Sequence, residues 1–200
     1  MINLKKIDIG IYITLFITCI LILLQSPLAP YAKSCIGNDS SIFITIARNI
    51  LDGDILYKDI TDHKGPMIFI MDAIGLLLFK NNTIGIWFLE IISLWITSFF
   101  IYKTALLLYC KLISLASTIL SLLFIVPILS GGNLTEEWCL PYIAVSLYIF
   151  VKKISNFSYN FTITELFILS SSFVIALMFK ASYIGLWCAF GIIIIIKLLK

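Results

Sequence analysis

Charge is what this chain has little of: Asp, Glu, Lys and Arg together make up 12% of it, and the mean hydropathy is +1.09. A soluble globular domain carries about twice that share of charge, so the composition points to a polytopic membrane protein. Paired cysteines are lacking too. Cys19, Cys35, Cys110, Cys139 and Cys188 stand singly with no C-x-x-C pair, which excludes a zinc or dithiol motif. There is one histidine, His63. With Asp59 and Asp62 it makes a thin set of metal ligands, and a solvated loop is the better reading of the three. The net charge of +3 forms no basic stripe, so nucleic acid is not an expected partner. No internal repeat of the transporter kind is visible either, because the helix-interrupting signals of the first half have no counterpart in the second.

Apolar length is what the chain has instead. About 20 apolar residues cross a bilayer, and residues 9–28, 83–102 and 112–130 qualify. Residues 138–151, 166–179 and 181–196 are shorter, and each spans by borrowing a turn from its flanks or by crossing a thinned bilayer. Segment 66–79 follows Gly65, opens on Pro66 and carries Asp72 in its middle. Lysine sidedness decides its fate. If it does not cross, Lys5, Lys6, Lys103, Lys111, Lys152, Lys153, Lys197 and Lys200 all share the cytoplasmic side with the N-terminus. Asp39, Asp52, Asp54, Asp59, Asp62, Asp72, Glu136 and Glu137 are then external, and Lys180 lies near an outer tip. The expected fold is therefore all-α and polytopic: a single transmembrane domain over residues 1–200 with about six spans. External loops cover 29–82 and 131–137, and the first carries juxtamembrane helices. There Ile42, Phe43, Ile46, Ala47, Ile50 and Leu51 recur at helical spacing up to Gly53, the pattern of a helix lying on the membrane surface.

The densest charge lies between Asp52 and Lys64, and charge beside lipid marks function. The stretch N-D-S-S-I-F-I-T-I-A-R-N-I-L-D-G-D-I-L-Y-K-D-I-T-D-H-K-G-P, Asn38 to Pro66, resembles the first external loop of the multi-spanning lipid-linked glycosyltransferases, the superfamily of protein O-mannosyltransferases and aminoarabinose transferases. In order stand an acid after the first span, a surface helix ending L-x-G, a Y-x-D and then H-K-x-P. The run G-G-N-L-T-E-E-W, followed by Leu140 and Pro141, is similar to the second external loop of bacterial members, and Lys180 falls where many of them have a basic residue. Family chains are usually longer, so this one is expected to be an N-terminal part or a truncated relative in a bacterial plasma membrane.

The resemblance implies an enzyme that moves a sugar from a polyprenyl-phosphate donor to a hydroxyl of a lipid, glycan or protein acceptor, inverting the anomeric centre. The acceptor needs a base, for which Asp39 is the candidate and Glu136 the alternate. The departing phosphate needs fixed cations, and Lys64 beside His63 supplies them, with Arg48 and Lys180 in reserve. Asp39 is followed by Ser40 where many members carry a second acid, so no metal or other cofactor is expected. Asp59, Asp62 and Glu137 complete the external loop residues.

Plainer readings stand beside these. Asp39 precedes a helix and has the chemistry of an N-cap; Lys64 has that of a headgroup anchor. Glu136 and Glu137 also fit a wet loop. Glu90 lies inside a span, where a hydrogen bond that locks helix packing is the favoured role. A transporter or flippase needs charge along a path at bilayer depth, and a non-catalytic fragment needs none. With Glu90 as the one deep acid and the others crowding a single surface, the pattern favours surface catalysis.

Overall fold

The computed structural model describes residues 4–80, 82–127, 132–155 and 160–198, the side chains of 4–8 and 198 excepted. Ser130, Gly131, Lys200 and the side chains of Lys5 and Lys6 thus lie outside the described residues. Eight α-helices form among them: α1 Leu4–Leu23, α2 Asn38–Leu51, α3 Met67–Leu78, α4 Ile84–Ala105, α5 Lys111–Ile125, α6 Thr135–Ser155, α7 Ile163–Phe179 and α8 Gly185–Leu198. A 3-10 turn, Ala181–Ile184, leads into α8. No strand is present among the described residues, as an all-α chain requires. Helices α4 and α6 are long and apolar enough to cross a membrane.

Helix ends follow local chemistry. Expected to run to residue 28, α1 stops at Leu23 because Ser26 and Pro27 turn the chain, and the Leu28 N–H takes the Ser26 hydroxyl as acceptor at 3.2 Å. Helix α2 stops where expected: Gly53 takes φ +110°, and the Asp54 N–H reaches back to the Asn49 carbonyl at 2.9 Å. By contrast, α6 runs straight through Pro141 to Ser155. Thr162 opens α7 with a reciprocal box, its hydroxyl accepting from the Glu165 N–H while the Glu165 carboxylate accepts from the Thr162 N–H at 2.8 Å.

The six longer or more peripheral helices alternate in direction. Trp87 at the start of α4 donates its indole N–H to Leu23 at the end of α1 at 2.8 Å, while Tyr12 meets Phe99 and Tyr102 at the other end of that pair. Leu122 of α5 packs with Cys19, Ile22 and Leu94; Leu115 and Ile119 pack with Leu15 and Tyr102. Phe150 of α6 stacks on Phe190 of α8 at 3.9 Å. Lys153 of α6 pairs with Glu165 of α7 at 2.7 Å. So α1, α5 and α7 run toward one end of the bundle, and α4, α6 and α8 run away from it. Lys103, Lys111, Lys152, Lys153 and Lys197 gather at the far end.

Across the near end lies α3. Gly65 just before it donates its N–H to the Phe179 carbonyl at the end of α7, at 3.2 Å, and Gly75 within it meets Ile86 at the start of α4. Its 12 residues measure about 18 Å, short of the hydrocarbon thickness. Segment 66–79 meets the near end of the bundle at both of its own ends, through Gly65 on α7 and Gly75 on α4. Helix α2 packs on α3 through Phe43 and Phe69, rings 5.8 Å apart and edge to face. Most of the apolar face expected to rest on a membrane is thus covered by protein: Phe43, Ile46 and Ala47 of that face are buried together with Ile44, while Ile42 stays exposed. Burial of Phe43, Ile44 and Ile46 is worth about 1.5–3 kcal/mol each.

Candidate functional site

Asp39 occupies the second position of α2 and is exposed. It is not the N-cap. Gly37 takes that place with no side-chain bond, and it is the Ser41 hydroxyl that bonds the Gly37 carbonyl, at 2.8 Å. In the first turn the Asp39 carboxylate faces the positive end of the helix dipole. Arg48 is exposed on the last turn of the same helix, and no contact joins it to the lysines described next.

The loop between α2 and α3 is built by its own polar side chains. Asp59 accepts from the Ile55 N–H at 2.9 Å, and Asp62 accepts from the Lys64 N–H at 2.8 Å with the His63 Nδ1 at 3.5 Å. Tyr57, at φ +68°, donates its hydroxyl to the Lys64 carbonyl at 2.6 Å. Asp59 and Asp62 therefore shape turns, and the His63 side chain is 82% exposed and points into solvent. Together they present Lys64 directly before Gly65, which docks on α7. A Cβ at Gly65 would lie 2.0 Å from the Met178 carbonyl oxygen, so only glycine permits this approach.

That docking brings the Lys64 loop to the junction of Phe179 and Lys180. Lys180 Nζ lies 3.2 Å from Glu136 Oε1 and 5.8 Å from the Tyr183 ring centroid. Thr135 donates to Glu136 Oε2 at 3.0 Å, and its oxygen is 3.1 Å from the Tyr183 hydroxyl. The Lys180 and Glu136 side chains are 40% and 44% exposed, so the pair stands at a wet rim. Directly along α6 an apolar cavity of about 350 Å³ opens between α3, α4, α6 and α7, lined by Met71, Leu89, Ile92, Trp138, Tyr142 and Ile175. Its α6 residues lie on the face of that helix away from Glu136, and neither Glu136, Lys180 nor Lys64 lines it.

Three acids that the sequence placed in external loops or left isolated meet in the interior. Asp72 and Asn133 are fully buried, Glu90 is 4% exposed and Glu137 8%. Asn133, held at φ +51°, donates its side-chain amide to Asp72 at 2.7 Å and its main-chain N–H to Glu90 at 2.8 Å, and accepts from the Trp138 indole at 2.7 Å. Glu137 is thus no wet-loop residue, and Asp72 is not at the surface. Glu90 does make a hydrogen bond, but to loop backbone instead of a neighbouring helix. The interior therefore holds more acidic side chains than sequence reading allowed. Asp72 and Glu90 were visible as acids inside apolar segments; what sequence reading missed was their shared polar partner, Asn133. Among the described residues no three of His, Cys, Asp and Glu converge as a metal site.

Compared with known proteins, the chain matches no family model, no curated protein and no solved structure.

Proposed function

We propose that the protein is an integral membrane glycosyltransferase that moves a sugar from a polyprenyl-phosphate donor to an acceptor hydroxyl on the external face, with inversion. The supporting observation is the partly exposed Lys180–Glu136 pair with the Lys64 loop docked on the end of α7 next to it, in a chain that also holds an apolar cavity of about 350 Å³ farther along α6 and α7. An anionic head on a long apolar tail calls for both cations and an apolar cleft. Six helices cross the bilayer in this reading. Exposed Ile13, Ile17, Leu21, Phe124, Phe167 and Ile195 on their outer faces suit lipid, not water. Lys64 and Lys180 hold the phosphate as it leaves. Glu136, bonded to Lys180, positions that lysine. The base must approach the anomeric carbon from the face opposite the phosphate, which favours Asp39, since it is exposed and bonded to neither lysine. Asp39→Asn keeps the first-turn geometry and removes the base, so transfer by the purified protein should fall about a hundredfold or more. Near-normal transfer would move the role to Glu136.

The buried set Asp72, Glu90, Asn133 and Glu137 supports a second reading, a transporter, because acids enclosed within a membrane bundle are what a translocation path uses. Flux into vesicles that Glu90→Gln abolishes, with no sugar transfer, favours it.

A further inference from the structure

From the wet Lys180–Glu136 rim the acids run inward in order of burial: Glu136 is partly exposed, Glu137 and Glu90 are nearly covered, and Asp72 is fully buried. Each acts electrostatically on the next, Glu136 on Glu137, Glu137 on Glu90 and Glu90 on Asp72. Acceptors meet only acceptors here. Asp72 and Glu90 each bond Asn133 through one oxygen, which leaves Asp72 Oδ1 and Glu90 Oε2 without a partner; both Glu137 oxygens and Ser93 Oγ lack one as well. Ionised carboxylates accept and never donate, so they cannot satisfy one another.

No ion pair relieves these three acids among the described residues. Helix α1 brings Leu23 to them, while α2 and α5 add Phe43 and Leu122 to the packing around α3 and α4. Lys180 at the end of α7 is engaged by Glu136, the Tyr183 hydroxyl meets Thr135, and Cys139 of α6 lies in electrostatic reach of Glu136. A carboxylate more than nine-tenths buried with no cation takes up a proton instead of keeping its charge. We propose that Asp72, Glu90 and Glu137 form a proton-binding centre, occupied at neutral pH, whose protons hold the Asn133 turn against α3 and α4. Each proton turns an accepting oxygen into an O–H donor, for which Ser93 Oγ and the free oxygens of the neighbouring carboxyls are acceptors. A proton needs no coordination shell, so the closed cavity of about 10 Å³ lined by Glu90, Ser93 and Glu137 is room enough. At Asp72, which sits in α3, burial pushes the carboxyl well above the usual carboxylate range against the opposing pull of the Asn133 amide. The turn leads directly into Glu136, so its packing also fixes the acid that positions Lys180. A protonated centre is compatible with sugar transfer and with transport alike.

The test is infrared spectroscopy of the purified full-length chain, in a detergent free of carbonyl groups, following the carbonyl stretch that neutral carboxylic acids show and ionised ones lack. At neutral pH the wild type should show this band, shifted in heavy water as an O–H group requires, and should lose it only on the alkaline side. Asp72→Asn, Glu90→Gln and Glu137→Gln, near-isosteric and neutral, should each remove part of it, while Asp54→Asn in an exposed loop leaves it unchanged. Stability is the second readout. The unfolded chain releases these protons above about pH 4 whereas the folded chain keeps them, so the melting temperature should fall as pH rises from there, and less steeply in each variant. If one variant fails to fold, the wild-type band and the other two variants decide. A band absent from the wild type at neutral pH, or left undiminished by any folded variant of the three, overturns the proposal. Sugar transfer, tested through Asp39→Asn, stands or falls separately.

Discussion

Tyr57, Asp62 and Gly65 hold the main chain at Lys64 from three directions: a hydroxyl on its carbonyl, a carboxylate on its N–H, and a docked glycine after it. Burial and the negative Asp62 both raise the Tyr57 hydroxyl above the ordinary tyrosine value. The folded state therefore favours the protonated donor; its contribution is fully present below about pH 10 and fades only as pH rises through the raised value. With its backbone pinned, Lys64 precedes the first turn of α3, where leading N–H groups lack intrahelical acceptors and favour an anion. Lys64→Met keeps most of the stem and removes the charge, so binding of polyprenyl phosphate should weaken by roughly 1.5 to 3 kcal/mol, while binding of uncharged polyprenol stays the same. An unchanged preference for the phosphate leaves Lys64 as an interfacial anchor. The charge of this loop was legible in the sequence, but its bonds were not named there even though the partners are only two to seven positions apart. The bonds of Asn133 could not have been, since Asp72 lies 61 positions from it and Glu90 43; a polar pair that distant has no signature in a local pattern.

The α3–α4 hairpin is closed by a backbone approach that only glycine allows. A Cβ at Gly85 would sit 1.8 Å from the Gly75 carbonyl oxygen, and one at Gly75 would meet Ile86 at 2.7 Å. Gly85→Ala should therefore destabilise the protein by about 1–3 kcal/mol or more, read as a lower midpoint in denaturant titrations followed by helical circular dichroism. Gly10, with open space around it, is the control: Gly10→Ala should leave that midpoint unchanged or slightly higher. At this scale helices were readable from apolar length and periodicity, and α2 from its two faces. Their uses were not. The apolar face of α2 fits a lipid surface and a protein surface equally well, and the buried α3 decides between them. Helix α6 was expected to begin at residue 138, because two consecutive glutamates read as loop; burial of Glu137 and the Asn133 turn before it make them a first turn instead.

Six helices of alternating direction put most of the acids at one end and Lys103, Lys111, Lys152, Lys153 and Lys197 at the other, although Lys180 pairs with Glu136 at the first and Glu165 with Lys153 at the second. In a cysteine-free background, a cysteine at Asp54 should react with an impermeant thiol reagent added to intact cells, and one at Lys152 should react only after permeabilisation. Labelling of the Lys152 position from outside overturns the orientation. The sequence by itself determined that the chain is helical and where its apolar segments and its densest charge lie. Composition and charge spacing are properties of the chain read in order, and helices form largely from neighbours a turn away. Tertiary structure alone decided that α3 lies across the end of the bundle, that Glu136 meets Lys180, and that Asp72, Glu90 and Glu137 are drawn inside. Each of those depends on helices tens of residues apart meeting at particular faces, and burial of a charge is settled by what packs over it, not by the residues beside it.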